Sequence, residues 1–200
     1  MKACLEKFKA QGVIFWDEQS THLSADTTIA PGTIILPGVI TIGKVSIGAN
    51  CEIGPYAVIK DSEIGANCEI GPFVHIRPDS KLADKVKIGN FCEIKKTTIG
   101  TGSKANHLSY LGDSVIGEGV NIGCGTVTVN YDGHKKHVTT IEDGAFVGCN
   151  SNLIAPVTIG KQAFVAAGST IYENVPQGLG IARAKQKNFE NWKSPKERNK

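Results

Sequence analysis

Ile141, Val147, Leu153, Ile159, Val165 and Ile171 form an unbroken aliphatic ladder with one rung every six residues. The same spacing runs through Ile64, Ile70, Ile76, Leu82, Ile88 and Ile94, and in shorter pieces through Leu23, Ile29, Ile35 and Ile47, Ile53, Ile59. A period of six suits neither an amphipathic helix, which needs about 3.6, nor an alternating strand, which needs about 2. It suits a parallel β-helix of hexapeptide repeats, in which one aliphatic side chain per face points inward and successive coils stack. Gly often follows the aliphatic residue, as after Ile47, Ile53, Ile64, Ile70, Ile88, Ile99, Ile116, Ile122 and Ile159, and also after Ile42. Glycine tolerates the backbone geometry that turning a corner every few residues demands. The fifth place of the hexad is small: Cys51, Cys68, Cys92, Thr126, Ser151, Ala163, Ser169. Three hexads close one triangular coil, so the full repeat is about 18 residues.

The 200 residues suffice for one elongated domain. Only 6% are aromatic, which suits a narrow prism filled with Ile, Val and Leu better than a globule built around large rings. No apolar run approaches the length of a membrane span and no secretory apolar segment follows Met1, so the expectation is a soluble cytoplasmic protein. Of the six cysteines, Cys51, Cys68 and Cys92 fill the small slot, while Cys124 and Cys149 come two residues after an aliphatic. Small buried or turn thiols are therefore expected rather than disulfides or a metal site, and no C-x-x-C occurs. Charge is uneven. Residues 183–200 hold seven Lys/Arg against Glu190 and Glu197, a net +5 in a chain of +3, which leaves the body at −2. Such a tail suits a solvated end or an anionic ligand, and no aromatic platform points to nucleic acid.

Residues 3–11 read as a short helix stopped by Gly12 and leading into the first coil, within a lead-in of 1–22. The solenoid is expected over 23–182, followed by the basic tail 183–200 with a helical tendency in NFENWK. Its rhythm breaks twice, predicting extruded loops at 100–115, where hexads give way to TGSKANHLSYLGDS, and at 129–140, where NYDG signals a turn. A solenoid can extrude a loop from a corner without disturbing its stack, and function gathers in such loops.

His107 stands in the first break. A neutral imidazole there can accept a proton at physiological pH, although a lone loop histidine is more often a surface residue. Arg77, Lys95, Lys96 and Lys136 supply cations able to meet a phosphate, with solvated faces as the bland alternative for each. His134 and His137 lie among lysines, which disfavour a dication, and no third ligand is evident; no metal is expected. GVITIGK at 38–44 imitates a phosphate loop, but Val45 stands where Ser or Thr is required.

The strings IRPDSKLADKVKIGNFCEIKK, GSKANHLSYLGDS, IGEGVNIGCGTVTVNYDGHKK, FVGCNSNLIAPVTIG and AAGSTI, spread over residues 77–183, resemble the acetyltransferase half of the GlmU family. That family combines glucosamine-1-phosphate acetyltransferase with N-acetylglucosamine-1-phosphate uridyltransferase, and the early coils resemble it too. The resemblance implies an all-β, left-handed parallel β-helix, assembled as a homotrimer with sites between subunits. It implies transfer of acetyl from acetyl-CoA to the amine of glucosamine 1-phosphate, on the way to UDP-N-acetylglucosamine and cell-wall precursors. On this resemblance His107 is the general base, with Glu93 as a carboxylate orienting it. Arg77, Lys95, Tyr110 and Asn121 fall on sugar-phosphate contacts, with Lys136 beside them. Cys124, Asn130, Tyr131, Cys149, Ala167 and Arg183 fall on acetyl-CoA contacts. Independently of the resemblance, the oxyanion of such a transfer needs a preorganised donor, for which a backbone N–H near Asn130 and Tyr131 is the candidate. Many members of the family carry Ala at the place of Cys124 and Ser at that of Cys149. The family's nucleotidyltransferase domain has no counterpart in these residues, so no uridyl transfer is expected. Other readings are a hexapeptide acyltransferase on another amino sugar, a γ-type carbonic anhydrase, and a structural or ice-binding solenoid. Five scattered histidines and irregular threonine pairs fit the last two poorly.

Overall fold

A computed structural model describes residues 2–190 and 192. The chain opens with a helix, Lys2–Ala10, whose Leu5 and Phe8 are buried. Gly12, at φ +92°, ends it, and the N–H of Val13 returns to the Phe8 carbonyl at 3.0 Å. Phe8 and Val13 thereby enter the same core as the coils, so the helix closes the first coil with apolar side chains.

The rest is a parallel β-solenoid of about nine turns. One face is a 10-stranded sheet from Ile14–Phe15 to Leu179–Gly180, so stacking begins a coil earlier than the first clean hexad. The other two faces belong to a 12-stranded sheet that wraps a corner. Strands Ile40–Ile47, Val58–Ile64, Glu93–Ile99 and Tyr110–Ile116 run through that corner on left-handed residues: Gly43, Asp61, Lys96 and Asp113. The ladder aliphatics point inward, Ile35, Ile53, Ile59, Ile76, Ile88, Ile94, Leu111 and Leu153 among them. Each such burial is worth about 1.5–3 kcal/mol before entropy.

The small slot has a chemical reason. Its side chains donate across to carbonyls: Cys51 Sγ to Gly65 O at 3.1 Å, Cys68 Sγ to Ala83 O at 3.2 Å, and Ser103 Oγ to Gly117 O at 2.7 Å. Where the slot holds a donor it satisfies a corner carbonyl that would be costly to leave unpaired, while Ala163 fills the same place without one. Cys51, Cys68 and Cys92 are buried free thiols; Cys124 is half-buried and Cys149 exposed. Ile42 departs from the pattern. It is exposed, and Thr41 takes the inward seat, so Ile42-Gly43 is not a rung of the ladder.

The two rhythm breaks turn out differently. Residues 100–115 are not an extruded loop: they form strands Lys104–His107 and Tyr110–Ile116, in register with the coils on both sides. Ala105 occupies the seat of a ladder aliphatic and is buried, and Ile116 follows Leu111 after five residues, which hides the rhythm. The second break is a loop, residues 130–138, between strands Val127–Val129 and Thr139–Ile141. An antiparallel bridge between Tyr131 and Lys136 closes it, and His137 N donates to Asn130 O at 2.8 Å. Beyond Ala182 the described tail has no helix; Lys193, Lys196, Glu197, Arg198 and Lys200 lie outside the described residues.

Candidate active site

Two groups of candidate residues emerge, one on a corner and one on the adjoining face. The corner column starts from the pairing of Asn90 with His107 on adjacent coils. Continuing the registers Ala105 with Ile122, Ile122 with Val147 and Val147 with Val165 brings Cys124, Cys149 and Ala167 onto the same line. Corner hydrogen bonds agree: Leu108 N to Asn90 O at 3.0 Å, Asn150 N to Cys124 O at 2.7 Å, and Gly168 N to Cys149 O at 2.8 Å. Successive members of a parallel ladder sit about 4.8 Å apart, so the column is a straight strip of small side chains leading away from an imidazole. Arg183 joins its far end, Nη1 donating to Ala167 O at 2.7 Å. His107 is exposed, and its Nδ1 lies 2.9 Å from Asn90 Oδ1. Beside it runs a groove of about 270 Å³ lined by Glu69, Pro72, Lys87, Asn90 and Asn106. A larger groove, about 540 Å³, lies on early coils between Lys44, Asp61, Asp79 and Lys81, and none of the candidate residues lines it.

The second group occupies the face that follows the His107 corner. Arg77 Nη1 donates to Glu93 Oε1 at 2.7 Å. Lys95 Nζ donates to Asp113 Oδ2 at 3.0 Å, and the same oxygen accepts Asn130 Nδ2 at 2.5 Å. Asn130 Nδ2 also lies 3.3 Å from Tyr110 Oη. Asp113 is only 6% exposed. Its burial pushes its pKa up, but Lys95 and then Asn130 outweigh that and hold it below the usual carboxylate range. The extruded loop folds Lys136 back against Lys95. Lys136 is pushed below the ordinary lysine range by Lys95, while the Asp113 carboxylate holds Lys95 charged. Arg77 and Lys95 each have a carboxylate; Lys136 brings the surplus charge. Gly112 makes the cluster possible, since a Cβ there would stand 2.4 Å from Tyr110 Oη and 2.8 Å from Asn130 Nδ2.

Of the residues picked from sequence, Arg77, Lys95, Tyr110 and Lys136 come together, and His107, Cys124, Cys149, Ala167 and Arg183 share the corner. Asn130 sits with the cation group rather than on the corner, and Tyr131 is exposed on the loop, its hydroxyl donating to Gly133 O at 2.7 Å. Asn121 stands apart on the first face, between Lys104 and Phe146. Glu93 serves Arg77, and the ring partner of His107 is Asn90 instead. His137 bonds Asp132 at 2.6 Å within the loop. Asp113 and Asn90 escaped the sequence reading. Asn90 could have been found by stepping 17 residues, one coil, back from His107.

A family pattern described as bacterial transferase hexapeptide (six repeats) matches residues 26–61, 61–96 and 139–173. The chain belongs to that hexapeptide transferase family. The stretch between the second and third matches, 97–138, holds His107, Tyr110, Asp113 and the extruded loop, while Arg77, Asn90 and Lys95 fall within the second match. The chain is 54% identical over 203 residues to the bifunctional protein GlmU of Geobacillus sp. (strain WCH70), covering 93% of this chain and 44% of that protein. It is 52% identical over 208 residues to GlmU of Geobacillus thermodenitrificans, covering 96% and 45%. GlmU of Halalkalibacterium halodurans is 51% identical over 208 residues, covering 96% and 46%. The chain thus spans less than half the length of these hexapeptide-transferase relatives. Among the described residues no helix is long and apolar enough to cross a membrane.

Proposed function

We propose that this chain moves the acetyl group of acetyl-CoA to the amine of glucosamine 1-phosphate. The observation that carries the reading is the convergence of Arg77, Lys95 and Tyr110 with the loop root Asn130 on the face adjoining the His107 corner. The loop cation Lys136 is near enough to Lys95 to be pushed below the ordinary lysine range. Positive charge in excess of its carboxylates suits a phosphate dianion, and charge-assisted hydrogen bonds are the strong ones. The likeness to GlmU proteins supports the same assignment. His107 takes a proton from the substrate ammonium, and the freed nitrogen attacks the thioester carbonyl. The tetrahedral intermediate collapses to the amide as the C–S bond breaks, the nitrogen's second proton passing to the departing coenzyme A thiolate. No acyl-enzyme is needed, so Cys124 and Cys149 only line the path of the pantetheine arm. A backbone N–H at the root of the loop, near Asn130, meets the oxyanion.

The reading includes a homotrimer in the cytoplasm. Asn121 faces away from the cation group of its own chain, so a sugar touching both would lie between two chains. Tyr56, Phe73 and Phe91 support this: they stack at 5.2 and 5.4 Å along the His107 corner and remain about half exposed in one chain. A contiguous apolar ridge on a soluble surface marks a contact surface. The test is thiol release from acetyl-CoA with a panel of amino sugars and their phosphates, beside light scattering. Release confined to glucosamine 1-phosphate, from a particle three times the 21.2 kDa chain, is expected. A preference for another amino sugar would keep the chemistry and change the acceptor; an active monomer would refute the shared site.

A further inference from the structure

We infer that Asn90 is a positioning residue that fixes the imidazole of His107 with Nδ1 protonated and Nε2 free, an inference that rests on His107 being the base proposed above. An amide oxygen can only accept, so Asn90 Oδ1 at 2.9 Å from Nδ1 requires the proton on Nδ1. The lone pair is then on Nε2, at the outer end of the ring, where it can take a proton from a substrate. A histidine's reacting nitrogen is set by the bond that the other nitrogen makes.

Asn90 is built to hold that position. It pairs with His107 in the strand register, and its carbonyl accepts the N–H of Leu108 at 3.0 Å, so backbone and side chain grip successive residues of the next coil. Gly89 permits the approach: a Cβ there would stand 1.9 Å from the Asn106 carbonyl oxygen and push the two coils apart just before the pair. No carboxylate competes for the ring among the described residues. Glu93 is held by Arg77 at 2.7 Å, and Glu69, across the groove, is held by Lys87 at 2.6 Å. The remaining charged or titratable neighbours are Lys104 on the same strand and Cys124 one coil on. The base is therefore oriented by a neutral amide. A carboxylate in the same place would also favour the imidazolium, and so hold the base protonated to higher pH.

Three forms of the full chain test this: wild type, Asn90→Ala and Asn90→Asp, each checked for unchanged thermal midpoint and particle mass. The nitrogen shifts of selectively 15N-labelled histidines read the tautomer without any turnover. The expected result is an Nδ1-protonated His107 ring in the wild type and a mixture in Asn90→Ala. In the acetyl-transfer assay Asn90→Ala should lose about 10²-fold in kcat/KM, the scale of a misplaced group. Asn90→Asp keeps the acceptor, so it should retain turnover at high pH while its acid limb moves up by about one pH unit. An Nε2-protonated wild-type ring, a fully active Asn90→Ala, or an Asn90→Asp as impaired as the alanine variant at every pH would overturn the inference. Failure of the underlying reading looks different: a wild type without acetyl transfer, or an active His107→Ala, with the ring shifts still reporting on Asn90.

Discussion

Asp113 Oδ2 accepts the amide of Asn130 at 2.5 Å, which ties the root of the extruded loop to the wall one coil below it. The same oxygen holds Lys95 at 3.0 Å. Asp113→Ala would leave the ammonium of Lys95, whose side chain is 15% exposed, without its carboxylate. Breaking such a pair costs about 3 kcal/mol. Denaturant unfolding should show a loss of that order, and the KM for the sugar phosphate should rise because Lys95 and the loop both lose their anchor. A variant with wild-type stability and KM would refute this bridging role.

The acid limit of stability follows from two carboxylates. Asp132 is held below the usual range by the N–H of Lys135, the ring of His137 and the N–H of His134; Asp113 is lowered too, Lys95 and Asn130 outweighing its burial. A carboxyl depressed by folding contributes stability in full above its unfolded pKa, near about 4, and loses it as pH falls through the folded value. The thermal midpoint should therefore hold down to about pH 4 and drop below it. Asp132→Asn should make that drop shallower; an identical slope would show that the loop staple contributes nothing.

Lys136 is a charge placed against a like charge, and function and stability should separate there. Lys136→Gln relieves the repulsion, so the midpoint should not fall. The KM for glucosamine 1-phosphate should rise about tenfold, the loss of one charge-assisted bond to phosphate. A lower midpoint with unchanged KM would reverse the assignment.

His107→Ala should lower kcat by about 10²–10⁴-fold, the span of general acid–base catalysis, with folding intact because the ring is exposed. Retention of more than half the wild-type kcat would remove His107 from the chemistry.

Arg183 meets the corner column at Ala167 O, 2.7 Å away, where the coenzyme end of the strip is proposed. Arg183→Ala should raise the KM for acetyl-CoA well above any change for the sugar phosphate, and added salt should mimic it in part. Equal rises for both substrates would point to a bracing role for the tail.

The six-residue ladder carried the coil architecture because each rung is a large aliphatic in an inward seat. Ala105 and Thr41 hold the same seats without announcing it, so a strand reads as a loop and Ile42-Gly43 groups with the Ile-Gly pairs of the ladder. In the site, His107, Arg77, Lys95 and Tyr110 were legible through resemblance. Asp113 was not, since a carboxylate at a tight corner reads as a turn residue until Lys95 and Asn130 are seen to converge on it. Asn90 and His107 meet only through stacking, which no local pattern reports.

The corner column also limits how the length of this chain can vary. Asn90 and His107 are 17 residues apart, one coil. Coils of 17 and 18 residues both occur, Ile88 pairing with Ala105 and Ile70 with Ile88, so an added residue can be taken up at a corner. It cannot be taken up within strands Lys87–Asn90 and Lys104–His107, where it would turn Asn90 or His107 to the other face. Residues 130–138 leave and re-enter at one corner, so they can lengthen or shorten while Cys124 and Cys149 stay stacked. Length can thus vary at corners and in that loop as long as Asn130 still reaches Asp113, whereas the two strands that carry Asn90 and His107 have a fixed count.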